Sequence, residues 1–197
     1  MVHAFLVPRP KRAAPESRLS TEDWEIAALD ALADTGLAGV AVEPLARRLG
    51  VTKGSFYWHF PDREALLAAA LRRWEQSYTD RIIEAAAEVR EPRERLVRLI
   101  TSGLAGGRSD RIHMALAISP HPPVREALAR VTCRRMDYLE SCYVELGQPR
   151  REARQSAFLA YAAYVGLVHL RLEAPRALPD QGTFAAYVER LIAMLVP

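Results

Sequence analysis

Residues 45–63, LARRLGVTKGSFYWHFPDR, constrain this chain more than any other stretch. Leu45, Ala46 and Leu49 place apolar groups on one helical face. Gly50 follows that face and marks its end, because glycine adopts the left-handed backbone that costs other residues energy. Val51 is an apolar plug, and Thr52 has the side chain to cap a new helix by accepting a backbone N–H. Lys53, Gly54 and Ser55 form its first turn, Phe56 points back toward Leu45 and Leu49, and Tyr57, Trp58 and His59 close it before Pro61 stops it. Two short helices joined by a glycine turn make a helix-turn-helix. In that motif the start of the second helix faces base edges in the major groove. Lys53 can reach guanine or phosphate, Gly54 and Ser55 let backbone approach closely, and Tyr57 and His59 offer polar tips at the groove edge.

The flanking sequence supports such a unit. Residues 20–35 read as a helix capped by Ser20 or Thr21, with a stripe of Trp24, Ala28, Leu29 and Leu32, ended by Gly36. Three helices this short bury too little to stand alone, so the unit should pack on the helices downstream of it. Net charge does not by itself argue for nucleic acid. The chain carries +3, and residues 1–63 hold as many acids as bases. Position decides instead: Arg47, Arg48, Lys53 and Arg63 gather around the motif. Residues 1–18, with Pro8, Pro10, Pro15, Arg9, Lys11, Arg12 and Arg18, read as a basic flexible arm. Such an arm either touches phosphates or the minor groove, or is a solubilising or mis-assigned start.

Asp62 is placed to cap a fourth helix, whose Leu66, Leu67, Ala70, Leu71 and Trp74 continue the apolar face to about residue 90. Five further helices are predicted at about 92–105, 109–118, 122–146, 150–173 and 181–196, separated by glycine and proline breaks. No strand alternation, repeat or low-complexity run interrupts them. Half of the 197 residues are hydrophobic, enough for a sizeable core. The expected fold is therefore all-α, with a three-helix helix-turn-helix unit over 19–66 and a helical domain over 67–197.

Other chemistry finds little support. Cys133 and Cys142 lie nine residues apart on nearly opposite sides of one helix, which argues against a disulfide and for a reduced, cytoplasmic protein. The first residues lack the apolar core of a signal peptide, and no uncharged run is long enough to cross a bilayer. His113, His121 and His169 are scattered without metal-ligand spacing, and no serine sits in a nucleophile-elbow motif. No catalytic residue, metal or cofactor is expected.

Residues 50–67, GVTKGSFYWHFPDREALL, resemble the recognition segment of TetR-type transcriptional repressors, and the Tyr57-Trp58-His59 triplet is similar to the tetracycline repressor branch. The likeness extends upstream through Leu19, Trp24, Leu29, Leu32, Gly36, Leu45 and Ala46, covering roughly residues 19–75. It implies a ligand-responsive regulator, released from a pseudo-palindromic double-stranded operator by a small molecule. Lys53, Gly54, Ser55, Tyr57 and His59 would then lie at the groove, and Thr52, Trp58 and Arg63 at the DNA backbone. The chain departs from the pattern in two places. Ala41 stands where relatives cap with Ser or Thr, and Glu43 stands where the tetracycline branch places a base-reading arginine. Glu43 either accepts from cytosine N4 or faces solvent.

The resemblance also implies homodimerisation through the last two helices, and the breadth of their apolar stripes fits that. It implies a ligand pocket between helices, with Trp74, Tyr78, Met114, Met136, Tyr143, Phe158, Tyr161 and His169 as candidate walls and Arg135 able to neutralise an acidic ligand. The alternative is a helical ligand-binding module or enzyme that keeps the helix-turn-helix only as a scaffold.

Overall fold

The computed structural model describes residues 19–197. The basic arm expected over 1–18 lies outside them. Every regular element described is helical. The first, α1 (Thr21–Thr35), begins in a reciprocal cap. The Ser20 hydroxyl accepts from the Asp23 N–H, and the Asp23 carboxylate accepts from the Ser20 N–H at 2.7 Å. The Ser20 N–H, and then the Ser20 hydroxyl donating to the same carboxylate, hold the Asp23 carboxyl below the usual carboxylate range. Trp24, Ala28 and Leu32 are fully buried along one side of α1.

After a short 3-10 turn at Leu37–Gly39 come α2 (Val42–Leu49) and α3 (Lys53–Phe56). Gly50 joins them in the left-handed conformation, φ 72° and ψ 28°, so that its N–H and that of Val51 turn back onto carbonyls of α2. Thr52 does stand at the N-cap of α3, but its side chain accepts no capping hydrogen bond. The Ser55 N–H instead bonds the Thr52 backbone carbonyl at 3.0 Å. Winding continues past α3 as a tight turn, the N–H groups of His59 and Phe60 both reaching the Phe56 carbonyl.

Asp62 caps α4 (Arg63–Glu75), its carboxylate accepting from the Ala65 N–H at 2.7 Å. The expected single helix to residue 90 is not regular. A π-type turn at Gln76–Asp80 widens it before α5 (Arg81–Ala87). Here the Arg81 N–H reaches back to the Gln76 carbonyl, and the Tyr78 carbonyl is taken by a side chain from another helix. The remaining helices are α6 (Pro92–Leu104), α7 (Arg108–Ala117), α8 (Pro122–Glu145), α9 (Arg150–Glu173) and α10 (Gln181–Leu195). Their ends fall within a residue or two of the glycine and proline breaks that announced them.

Packing divides into two apolar clusters that do not coincide with a boundary at residue 66. The first joins α1 to α4 with Ile112 and Leu116 of α7 and with Val124, Ala127 and Val131 from the first half of α8. The second joins α6, α9 and α10 with Cys142 and Tyr143 from the second half of α8. One 24-residue helix thus belongs to both cores. Cys133 is exposed and Cys142 buried on that helix, and both are free thiols.

Candidate functional site

Two places in this fold concentrate candidate functional side chains: the outer surface of α2 and α3, and a cavity between α5, α6, α8 and α9. The outer surface is fixed from behind. Phe56 is fully buried, its ring edge-on to Trp24 at 5.3 Å and stacked on Phe60 at 5.8 Å. Burying such a ring contributes about 2–3 kcal/mol. With Phe56 inward, Thr52, Lys53, Gly54, Tyr57 and Trp58 are left on the surface, Trp58 88% exposed. Ser55 is half-buried. His59 turns toward α1, its Nδ1 lying 3.4 Å from the Thr21 hydroxyl and its ring beside Trp24.

The basic cluster is largely engaged within the protein. Lys53 Nζ donates to Glu43 Oε1 at 3.0 Å, so Glu43 faces solvent from α2 while pairing with the lysine of α3. Each charge favours the other: the lysine is held above its ordinary value by that bond, and the Glu43 carboxyl is held below its own. Arg48 bridges Asp30 at 3.4 Å and Asp34 at 3.3 Å. Arg63, expected at the DNA backbone, points its guanidinium inward. It donates to the Val40 carbonyl at 2.6 Å and the Leu37 carbonyl at 3.1 Å, and pairs with Glu64. These carbonyls sit in the connection before α2, where the Leu37 carbonyl also accepts from the Val40 N–H at 3.2 Å. Of the four clustered cations, Arg47 alone forms no ion pair among the described residues. Nothing in the local sequence signals the Arg63 contacts with Leu37 and Val40, which join residues more than twenty positions apart.

The cavity holds about 140 Å³. Of the nine candidate walls, Tyr78, Arg135 and Tyr161 line it. The other six fall elsewhere. Trp74 is fully buried behind the wall, with the Arg135 guanidinium 5.9 Å from its ring. Tyr143 is fully buried in the second core, its hydroxyl donating to the Leu195 carbonyl at 2.7 Å. Met114 is half-buried on α7, outside the lining. Met136 and Phe158 border a separate shallow hollow on the outside of α8 and α9. His169 is exposed. Helical spacing identified these side chains as apolar-face residues but not which side of a helix faces an interior gap.

Residues not among those candidates complete the cavity. Thr79, Asp110, Tyr138 and Tyr164 bring polar atoms to its wall, among aliphatic side chains from α5 and α6. Arg135 is the centre of this group. It donates from Nε to the Thr79 hydroxyl at 3.1 Å and from Nη2 to the Tyr78 carbonyl at 2.9 Å, both offered by the π-type turn. Asp110 pairs with Arg171 at 3.2 Å, while burial pushes its carboxyl up against the pull of that cation. Arg171 also donates to the Leu104 carbonyl. His113, behind Tyr164, is almost wholly buried. Desolvation, then the charge of Arg135, lowers its imidazole to about 4, so it is neutral at pH 7.

One polar route joins the cavity to the outer surface. Ser109 and Asp110 of α7 line the cavity, and the preceding Arg108 donates to the Ile26 carbonyl of α1 at 3.2 Å and pairs with Asp30 at 2.5 Å. Asp30 is the same carboxylate that holds Arg48 of α2. On the far side, α9 and α10 leave Phe158, Leu159, Leu170, Leu172, Tyr187 and Met194 exposed. Among the described residues no cluster of His, Cys, Asp and Glu is arranged to hold a metal ion, and no helix is long and apolar enough to cross a membrane.

Comparison with known proteins gives this geometry a context. Residues 27–70 match the family described as bacterial regulatory proteins, tetR family. The chain is 38% identical over 71 residues to the HTH-type transcriptional regulator EthR of Mycobacterium tuberculosis, a match covering 34% of this chain and 32% of that one. The match therefore spans about a third of that relative's length. It is 28% identical over 138 residues to the HTH-type transcriptional regulator BetI 1 of Chromohalobacter salexigens, covering 66% and 68% of the two chains. A solved structure of a transcriptional regulator from Rhodococcus sp. Rha1 superposes with a TM-score of 0.71 at 24% identity, covering 90% and 94%. That last likeness concerns the fold, and it extends the agreement beyond the helix-turn-helix to nearly the whole chain.

Proposed function

We propose, since the N-terminal segment belongs to the tetR family of bacterial regulatory proteins, that this protein is a DNA-binding transcriptional repressor that works as a homodimer and is released by a small molecule. The observation that carries the reading is the surface of α3. Phe56 anchors its inner side completely, and the side chains left outside are a lysine, a glycine and two aromatics able to meet a groove and its phosphates. Lys53, Gly54, Ser55 and Tyr57 lie at the groove in this reading, with Thr52 and Trp58 toward the backbone. Glu43 holds Lys53 in the free protein, and Lys53 exchanges that carboxylate for a phosphate on docking. His59 contributes from the edge while held by α1, and Arg63 shapes the approach by fixing the start of α2.

A dimer through α9 and α10 covers the exposed Phe158, Leu159, Leu170 and Met194, and presents two α3 helices to two half-sites. Gly166 on α9 faces open space, where a Cβ would touch nothing, which suits a close helix crossing. The cavity provides the effector site. A ligand that prefers a displaced α7 acts on α1 and α2 through Arg108, Asp30 and Arg48. It releases DNA only by as much as its affinities for the two arrangements differ.

The test is fluorescence anisotropy of the purified protein on operator fragments obtained by genomic selection, titrated with salt and unrelated competitor DNA. A specific complex should survive competitor and lose about 0.9 log units of affinity per log unit of salt for each phosphate neutralised. Lys53→Ala should weaken it and flatten the slope by about one such unit per half-site. Binding that competitor abolishes at every selected site, or a slope unchanged in Lys53→Ala, would refute the assignment.

A further inference from the structure

The charges around the cavity do not balance. Arg135 has no carboxylate partner: among the described residues no Asp or Glu lies within ion-pair distance of it. Its contacts are a hydroxyl, a backbone carbonyl and, from Nη1 at 3.5 Å, the Tyr164 phenol oxygen. Each terminal nitrogen retains an N–H for another acceptor. Tyr164 takes part only as an acceptor in that contact, so its own O–H proton has no partner among the described residues. The acid on the lining is Asp110, and Arg171 holds it. His113 beside Tyr164 is neutral at pH 7, so it neither supplies nor cancels charge.

Apart from the small hydroxyls of Ser102 and Ser109, most of the remaining wall is apolar or aromatic, including Ile82, Ile83, Leu99, Leu139 and the ring of Tyr161. A half-buried cation without a counter-ion is costly, and an anion that brings its own apolar surface removes that cost. Size limits the anion. The cavity holds about 140 Å³, close to that of an engineered cavity that accepts one benzene ring. Aromatic walls favour a ring packed edge-on or offset.

We propose that the cavity binds a monocyclic aromatic carboxylate, its carboxylate on the open N–H groups of Arg135 and the hydroxyl of Tyr164, its ring among the aliphatic side chains of α5, α6 and α8. This inference deepens the effector part of the reading above and rests on it only for its biological consequence.

Isothermal titration of the full chain without DNA tests it, using benzoate, benzamide and benzylamine, which share one ring and differ in charge. Benzoate should bind at least tenfold more tightly than benzamide, and benzylamine should bind more weakly still. Arg135→Gln should abolish the preference for benzoate over benzamide. Tyr164→Phe, which removes one hydroxyl and leaves the ring in place, should cut benzoate affinity several-fold while leaving benzamide nearly unchanged. If Arg135→Gln fails to fold, the Tyr164→Phe comparison decides alone. Equal binding of the acid and the amide overturns the inference, as does no benzoate binding up to about 1 mM or an unchanged benzoate preference in Tyr164→Phe. DNA anisotropy, run separately, keeps the two readings apart. Benzoate binding without any effect on an operator complex would sustain this inference and remove the effector role. A salt-steep operator complex in a protein that ignores benzoate would overturn this inference and leave the DNA-binding reading standing.

Discussion

Gly54 offers a perturbation whose effects on folding and on DNA binding have opposite signs. It lies in α3 without a left-handed φ, and a Cβ built there meets only the Thr52 hydroxyl oxygen at 3.6 Å, an ordinary van der Waals distance. Gly54→Ala therefore adds no strain to the folded state. It restricts the unfolded chain, which stabilises the protein by about 0.4–1 kcal/mol. For a chain of this length that raises Tm by about 1–4 °C. In the proposed DNA complex the same methyl would stand where the backbone of α3 meets the groove. An unaccommodated methyl costs about 1–3 kcal/mol, as overpacking does in protein cores. A dimer meets it twice, so specific affinity should fall by about 30-fold or more. Non-specific binding, which rests on phosphates and a looser fit, should change far less. Thermal melting and anisotropy on specific and random DNA read both effects in one preparation. Wild-type operator affinity in Gly54→Ala would refute the close approach of this backbone to DNA. A lowered Tm would refute the open space around Gly54.

Burial sets two further outcomes. Phe56→Ala removes a fully buried ring packed on Trp24 and Phe60, which should destabilise the protein by about 3–5 kcal/mol and lower Tm by about 6–20 °C; a melt identical to wild type would mean that the ring is not core. His113 gives a pH signature: the unfolded chain takes up its proton below 6.5 while the folded chain waits until about 4, so the unfolded state binds more protons in that window and stability falls as pH drops through it, by about 3 kcal/mol in all. Asp110, whose carboxyl is raised by burial, works the other way near the acid end and is common to both proteins compared. His113→Phe should flatten the loss of Tm over this window, and parallel Tm-against-pH curves would contradict a neutral, buried imidazole.

Legibility in the sequence tracked the range of the interactions involved. Helix ends were readable because their causes lie within a few residues: Ser20 with Asp23, the left-handed Gly50, Asp62 with the Ala65 N–H. The inward face of α3 was readable because Phe56 stands alone among small, polar and terminal residues. The exposed sides of α9 and α10 were foreshadowed by stripes too broad for one neighbour. Partner choice was not readable. Nothing local pairs Lys53 with Glu43 or turns Arg63 onto the carbonyls of Leu37 and Val40. The π-type turn escaped for a related reason, since its sequence, Gln76–Asp80, carries no breaker and its carbonyl is satisfied by Arg135 from another helix.

The all-helical architecture, the helix-turn-helix and most of the residues that motif exposes are written in the order of the amino acids. Periodicity, caps and breakers are local, and a helix satisfies its own backbone. Which aromatic side chains surround a cavity, and which are plain core, depends instead on how the helices meet. Their meeting leaves Arg135 without a carboxylate while giving Asp110 to Arg171. It also places Arg108, Asp30 and Arg48 in one line from that cavity to α2. The reason is physical: an apolar stripe states that a face must be covered, but the covering helices, and the gaps between them, are set by the packing of the whole chain.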